Sequence, residues 1–388
     1  MIFKKKLFLF CKFSFIIVSL FVNKSIEFIQ NKNIELNKFH KDGHELEYIN
    51  NFNLLKHEYS YDLFLYSFLK EISIISYDYT NTLNLDNNKI HIMVSLNDKY
   101  IYPLIVSMNS ALLNSDKNRT TLVYHILCSK ELKQKNIIKL KSLLFVYPTN
   151  LELIFYNMGN AFIKFKYQKY AQVTYYRLLS PIFIPLDRII YLDSDVIIFK
   201  DLYEMYQISF DNNYVLGFLD LFSNGIDYLG INSEKYINAG TILLNLEKIR
   251  QDKKHKELLY MALNHKKLKH QDQTVINYIF YPKIGLLPFK YGIFNFPTIF
   301  DIKYIYLKNL RQNLNVTELL DAISDPSLMH FVLCYPKVWY EKSKYNGFST
   351  RNGTIYESKC DKFHKIWIKY ANSTMFYKEI MNKYNNKM

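Results

Sequence analysis

Two aspartates one residue apart, Asp193 and Asp195, interrupt an otherwise apolar run between Arg188 and Leu202. Its other members, Ile189 to Leu192 and Val196 to Phe199, suit a strand buried on both faces. A carboxylate at the end of such a strand is costly unless something pairs with it, so two together call for a cation between them. Spacing i, i+2 puts both side chains on one side of an extended segment, or lets a tight turn converge them. Hard carboxylate oxygens suit Mn²⁺ or Mg²⁺, and an ion held by only two or three protein groups keeps positions free for a diphosphate. The competing reading is an Asp-Ser-Asp turn that caps the next segment. Chance supplies about one Asp-x-Asp in a chain of this size, so the apolar frame is what raises the motif above background.

The elements that must position these carboxylates are legible around them. His91 to Leu96, Thr121 to Cys128, Leu151 to Tyr156 and Arg188 to Ile198 read as strands, while Pro103 to Leu113, Glu131 to Phe145 and Tyr170 to Leu179 read as helices. That alternation predicts an α/β fold with a mostly parallel sheet, whose ligands bind beyond the carboxyl ends of the strands. Asn97-Asp98 and Asp193-Ser194-Asp195 both fall at such ends and could share one site. Tyr214 to Leu221 and Ile237 to Leu246 read as further strands, and Ala239 and Gly240 leave room for close approach of a ligand or backbone. His270-Gln271-Asp272-Gln273 opens a helix over Thr274 to Phe280; these polar groups could face the same site or cap the helix, and taken alone they read as its cap.

Half of the 388 residues are apolar and 17% are aromatic, which supports a sizeable core and excludes wholesale disorder. A net charge of +15 invites a nucleic-acid or membrane partner. However, 44 of the 50 basic residues are Lys and only 6 are Arg, amid abundant Asn, Ile, Tyr and Phe. That is the usage of AT-rich coding, so no nucleic-acid partner is expected. The four cysteines (Cys11, Cys128, Cys334, Cys360) show no metal-ligand spacing.

Three lysines, Lys4 to Lys6, precede the apolar stretch Leu7 to Val22, the pattern of a secretory signal or an uncleaved signal anchor. With no small-x-small cleavage site after it, the expectation is a type II membrane protein with its remainder in the Golgi or ER lumen. The expected organisation is an anchor or signal peptide over residues 1–25, a stem over 26–88, a catalytic domain over 89–345 and a helical C-terminal extension over 346–388.

Several stretches together resemble glycosyltransferase family 8, the retaining GT-A transferases that include bacterial lipopolysaccharide galactosyl- and glucosyltransferases and glycogenin. In order they are Ser95-Leu96-Asn97-Asp98-Lys99-Tyr100, Tyr175-Tyr176-Arg177-Leu178, Tyr191-Leu192-Asp193-Ser194-Asp195, Asn238-Ala239-Gly240, Gln271-Asp272-Gln273, Phe294-Asn295-Phe296 and a segment from His330-Phe331 to Lys337 and Trp339. Each is weak by itself; the order and spacing over roughly Lys89 to Tyr340 make the resemblance specific. It implies a GT-A, Rossmann-like sheet flanked by helices, and Mn²⁺ or Mg²⁺ bound by Asp193, Asp195 and His330. It further implies UDP-glucose or UDP-galactose as donor and a glycan or glycoconjugate as acceptor. By the same likeness Tyr100 stacks on uracil, Asn97 contacts the base, and Arg177 and Lys337 hold the donor. Asn238 and Asp272 contact the sugar, Asp220 lies toward the acceptor, and Gln273 sits beside the anomeric carbon.

Gln273 is a poor nucleophile, so retention points to attack by the acceptor hydroxyl from the face the leaving group departs, rather than through a glycosyl-enzyme. Three alternatives stay open at the level of sequence. They are a metal-dependent nucleotidyltransferase on a related sheet, a catalytically silent glycan-binding protein on the same fold, and an enzyme that glycosylates its own tyrosine.

Overall fold

The computed structural model describes residues 43–79, 88–147, 150–163, 172–221, 235–264, 268, 270–295, 315–332 and 353–385. The chain divides into two compact units, residues 1–50 and 51–388. Of the first, residues 43–50 are described, and they are helical. The second holds the sheets and the candidate site.

Its eleven described strands are β1 (Ser73–Tyr79), β2 (Asn88–Leu96), β3 (Thr120–Cys128), β4 (Leu151–Asn157), β5 (Arg188–Leu192), β6 (Val196–Ile198), β7 (Val215–Leu219), β8 (Ile237–Asn245), β9 (Ile284–Leu286), β10 (Ile293–Phe294) and β11 (Leu328–His330). Eight form one sheet in the order β1-β4-β3-β2-β5-β8-β7-β9, and three form a second in the order β10-β11-β6. The β4-β3-β2-β5 block is parallel, whereas β8 runs antiparallel to both β5 and β7. Such a block is covered on both faces, and β3 accordingly buries all nine of its residues.

This α/β, GT-A-like layering agrees with the expected fold class. The expected single strand from Arg188 to Ile198 does not form. The chain leaves the large sheet after Leu192 and enters the small one at Val196, so Asp193-Ser194-Asp195 is the corner between two sheets. A continuous strand would bury two carboxylates on one face in the core; the corner keeps them at its rim.

The short β6 is held in place by helix α1 (Ile101–Asn114), which is apolar enough to bury most of its length. The Ser110 hydroxyl accepts from the Ile198 N–H at 3.0 Å, and the Asn114 amide donates to the Ile198 carbonyl at 2.9 Å. Those side chains satisfy backbone groups that a three-residue strand cannot pair by itself. Pro103 falls in the first turn of α1, where its missing N–H costs nothing.

Ser73–Tyr79, within the segment expected to be a stem, is an edge strand of the large sheet, paired antiparallel with β4. The folded domain therefore begins before Lys89. At the other end two helices, Gly353–Asn372 and Tyr377–Asn385, occupy the expected extension. They are part of the core packing: Phe363, Trp367 and Ala371 are buried, and the Asn109 amide of α1 donates to the Tyr370 carbonyl at 3.1 Å.

No helix among the described residues is long and apolar enough to cross a membrane. This corrects the expectation of a membrane-anchored protein of the Golgi or ER lumen. The segment that carried it, Leu7 to Val22, lies outside the described residues.

Candidate active site

The geometry of the site follows from the sheet register. In the parallel pair β2 and β5, Met93 is level with Tyr191, so both strands end on the same side. Antiparallel β8 begins there, with Thr241 opposite Leu192, which sets Asn238, Ala239 and Gly240 beside Asp193. The Asp193 N–H donates to the Gly240 carbonyl at 2.8 Å. In the second sheet β11 runs antiparallel to β6 with His330 opposite Val196, and this pairing carries an imidazole across 135 residues of sequence to Asp195.

His330 Nε2 lies 3.1 Å from Oδ1 of Asp195 and 3.6 Å from Oδ2 of Asp193. One ligand atom from each of the three residues falls within 4.8 Å of the others. An octahedral cation with oxygen ligands about 2.1 Å away needs separations of about 3 Å for cis and about 4.2 Å for trans positions. The three residues therefore fit a Mn²⁺- or Mg²⁺-sized ion. Nδ1 of His330 is buried and has no hydrogen-bond partner among the described residues. Gly240 makes the cluster possible, because a Cβ there would meet His330 Cε1 at 2.2 Å and Asp193 Oδ2 at 2.6 Å. The close approach expected at Ala239 and Gly240 thus serves the carboxylate and imidazole themselves.

Arg177 comes from a 3₁₀ segment, Gln172–Leu179, and is buried behind the aspartates. Its Nη2 lies 3.2 Å from Asp193 Oδ1 and its Nε 3.1 Å from Asp272 Oδ2, while Nη1 donates to the Ala239 carbonyl. The guanidinium stacks 3.7 Å from the centre of the Tyr191 ring. Burial works against its charge, but its anionic neighbours outweigh that and raise its pKa further above the ordinary value. The Tyr191 hydroxyl donates to Asp193 Oδ1 at 2.9 Å.

Helix α2 (Asp272–Phe280) is tied to the start of β8 by Asn277, whose amide accepts from the Ile237 N–H at 2.8 Å and donates to its carbonyl at 2.9 Å. The chain enters α2 through Gln271 at φ +49° and ψ −120°, a sparsely populated positive-φ conformation that costs a non-glycine residue about 1–3 kcal/mol. This turn aims Asp272 at Arg177 and Gln273 at β8. Gln273 accepts from the Asn238 amide at 3.2 Å and from the Ala239 N–H at 3.1 Å, and donates to Asp220 at 2.8 Å. The Gln271 side chain makes no cap hydrogen bond to α2, and the neighbouring Asp272 and Gln273 side chains reach into the site.

One cavity is lined by Tyr100, Arg177, Asp193, Asp195, Asn238, Gly240, Asp272, Gln273 and His330. The structure thus brings together most of the residues singled out from sequence. Asp220 reaches the cavity through Gln273. Asn97 does not line it; its side chain accepts from the Lys99 N–H in the turn before α1. Lys337 lies outside the described residues. His270, Ser95 and Thr174 also line the cavity; the first two fall within stretches quoted from sequence but carried no role there, and a lone Thr such as Thr174 carries no signal.

Burial pushes the Asp272 carboxyl up to about 6, with Arg177 opposing that shift. Turnover at saturating metal should therefore fall by roughly 10-fold as the pH drops through about 6, because neutral Asp272 no longer orients Arg177. The raised value means that the native state takes up this proton more readily than the unfolded chain. Asp272 thus favours folding as pH falls from 6 toward 4, so its protonation should not lower the melting temperature. An acid limb that survives in Asp272→Asn would assign the titration elsewhere.

Similarity to known proteins points the same way. A family model described as Glycosyl transferase family 8 matches residues 91–342. A lipopolysaccharide 1,2-glucosyltransferase of Escherichia coli is 28% identical over 224 residues, covering 53% of this chain and 63% of that protein. Glycosyltransferase GlyE of Streptococcus pneumoniae serotype 4 is 26% identical over 121 residues, 31% of this chain and 28% of that protein. Both matches span less than two thirds of the relative. Among solved structures, the galactosyltransferase LgtC in complex with donor and acceptor sugar analogs superposes with a TM-score of 0.55 at 20% identity, covering 74% of this chain and 96% of LgtC. The WbbM bifunctional glycosyltransferase gives 0.60 at 20% identity, covering 77% of this chain and 52% of WbbM. At such identities the likeness is one of fold.

Proposed function

The chain belongs to glycosyltransferase family 8, and from that premise we propose that it is a retaining, metal-dependent hexosyltransferase. It would move glucose or galactose from a UDP-sugar to a hydroxyl of a glycan or glycoconjugate. The observation that carries this reading is that Asp193, Asp195 and His330 share one cavity with Asn238, Asp272 and Gln273. One group can hold a diphosphate through a cation while the other holds a sugar. Glucose and galactose enter because the Escherichia coli relative is named for the first and LgtC for the second.

A divalent cation bound by Asp193, Asp195 and His330 would supply positive charge to the departing diphosphate. Tyr100, on the cavity wall, would stack on the uracil, with Asn97 close by in sequence to contact the base. Arg177 orients Asp193 and Asp272 through its two ion pairs, and Asp272 and Asn238 would accept and donate hydrogen bonds to the sugar hydroxyls. Lys337 is assigned to the phosphates on family likeness alone. Gln273 has both ends of its amide occupied, the oxygen by β8 and the nitrogen by Asp220. A side chain held this way positions the sugar rather than attacking it, which favours same-face attack by the acceptor hydroxyl, with the departing phosphate oxygen taking its proton. Asp220 would lie on the acceptor side. The catalytic domain would span residues 89–345, extended at its start by β1.

The test is a UDP-release screen of the full chain against a panel of UDP-sugars with Mn²⁺, followed by NMR of the product's anomeric proton. UDP-glucose or UDP-galactose should be consumed, and the new linkage should keep the α configuration of the donor. A β linkage would remove retention. A product carrying donor phosphorus would indicate nucleotidyl transfer, and donor binding without release would indicate a silent binding protein.

A further inference from the structure

Asp193 has two carboxylate oxygens with different company. Oδ1 receives the Tyr191 hydroxyl at 2.9 Å and lies 3.2 Å from Arg177 Nη2. Oδ2 faces His330 Nε2 at 3.6 Å and sits over the opening left by Gly240. Tyr191 itself is buried on β5, level with Ile242 of β8 and Met93 of β2, so its ring cannot swing away. Its face is fixed under the guanidinium of Arg177, 3.7 Å from the ring centre. A buried phenol needs a partner for its O–H, and here the partner is a carboxylate two residues along the same strand end.

We propose that Tyr191 is a positioning residue of the cation site: its hydroxyl ties down Oδ1 of Asp193 and so presents Oδ2 alone to a divalent ion. The inference rests on the metal-binding reading given above and goes beyond it, by assigning the orientation of one ligand to a cavity-lining residue outside the ligand set. The physical reason is that an unrestrained carboxylate rotates about its last bond and can close on a cation with either oxygen or both. Two donors on one oxygen remove that freedom before the ion arrives. Outer partners of metal ligands typically influence affinity 10- to 100-fold, even without direct contact with the metal. Arg177 shares the task on the same oxygen, but it also pairs with Asp272 and cannot be varied without disturbing the sugar side of the cavity. The Tyr191 hydroxyl is the separable half of the clamp.

Tyr191→Phe keeps the ring, its packing and its place under Arg177, and removes the hydroxyl with its bond to Asp193 and its contact with Ser95. Mn²⁺ binding would be followed directly by electron paramagnetic resonance of the free ion, on the full chain with and without UDP, alongside thermal melting. The expected result is a roughly 10-fold weaker Mn²⁺ dissociation constant in Tyr191→Phe. Turnover at saturating Mn²⁺ should stay within about threefold of the parent, since the filled site has the same ligands. Tyr191→Leu, which also removes the surface under Arg177, should lose donor affinity as well. Equal Mn²⁺ affinity in the parent and in Tyr191→Phe would overturn the proposal while leaving the metal reading intact. A parent protein that binds no Mn²⁺ even with UDP would overturn both. Weaker binding that merely tracks a lowered melting temperature, and disappears when measured well below it, would reduce Tyr191 to a packing residue.

Discussion

Asp195→Asn should lower turnover by 10² or more, and no concentration of Mn²⁺ should restore it fully. Asp195 sits at the corner between the two sheets with one oxygen 3.1 Å from His330 Nε2, and its backbone carbonyl accepts from the Phe331 N–H at 3.0 Å. The backbone bond survives the substitution, so the corner should keep its shape. What changes is the charge. An amide offers one neutral oxygen in place of a carboxylate, and the three-residue cluster falls from two formal negative charges to one. Stabilising charge that develops on a leaving group is usually the largest single catalytic contribution, and losing one element of it commonly costs 10²–10³. The parent enzyme in excess chelator should show the same loss, reversible on adding Mn²⁺. Full activity in chelator would sink the assignment of the cluster as a metal site and leave His330 and Asp195 as a half-buried hydrogen-bonded pair.

Arg177→Met should be the most damaging single change in both stability and activity. The guanidinium is shared between Asp193, partly open to the cavity, and Asp272, whose side chain is only 6% exposed. Removing the cation leaves Asp272 as a buried carboxylate without a counter-charge, a situation that costs about 3–5 kcal/mol. Proton uptake is the cheaper way out. The Asp272 pKa, already pushed up to about 6 by burial, should rise further once Arg177 no longer opposes it. Linkage then sets the sign: the variant gains relative stability as pH falls, because its native state binds a proton that the unfolded chain releases. Urea melts of parent and variant should therefore differ most at pH 8 and least at pH 5. Turnover should drop by more than 10² at every pH, since the clamp on Asp193 and the charge on Asp272 are lost together. A destabilisation independent of pH would show that Asp272 is not the group left without a counter-charge by the loss.

The two substitutions separate roles that lie within one cavity. Asp195 is reached from the sheet corner and from β11, whereas Arg177 reaches the site from the 3₁₀ segment behind it. Loss of Asp195 should leave stability nearly unchanged and loss of Arg177 should not, so a common stability cost would point to a single packed network instead of two supports.

Much of this arrangement was legible in the amino-acid sequence, because local patterns carry it. The apolar runs of β2, β3, β4 and β8 betray buried strands whatever they pair with, and two carboxylates in such a frame stand out by their cost alone. Ala239 and Gly240 announced a close approach simply by lacking side chains. The order of the motifs identified the family, and with it the fold, before any contact was known.

What the sequence could not determine is decided by register between distant segments. Arg188 to Ile198 has the texture of one strand, and only the pairing of β6 with β11 shows that it turns between two sheets at Asp193-Ser194-Asp195. Ser73–Tyr79 falls in the stretch that reads from sequence as a stem, and becomes an edge strand because β4 offers it a partner. The first turn of α2 reads as a cap in isolation; its side chains serve the site because Asn277 anchors the helix to the start of β8. Tyr191, one among 34 tyrosines, gains its place from a neighbouring carboxylate and a guanidinium supplied 14 residues earlier in the chain. Periodicity and burial preference are properties of a short stretch, so the sequence determined which segments form the sheet and where charge must be compensated. Which side chains compensate it depends on strand register and on the corner between sheets, and those are settled only when segments more than a hundred residues apart compete for the same edges.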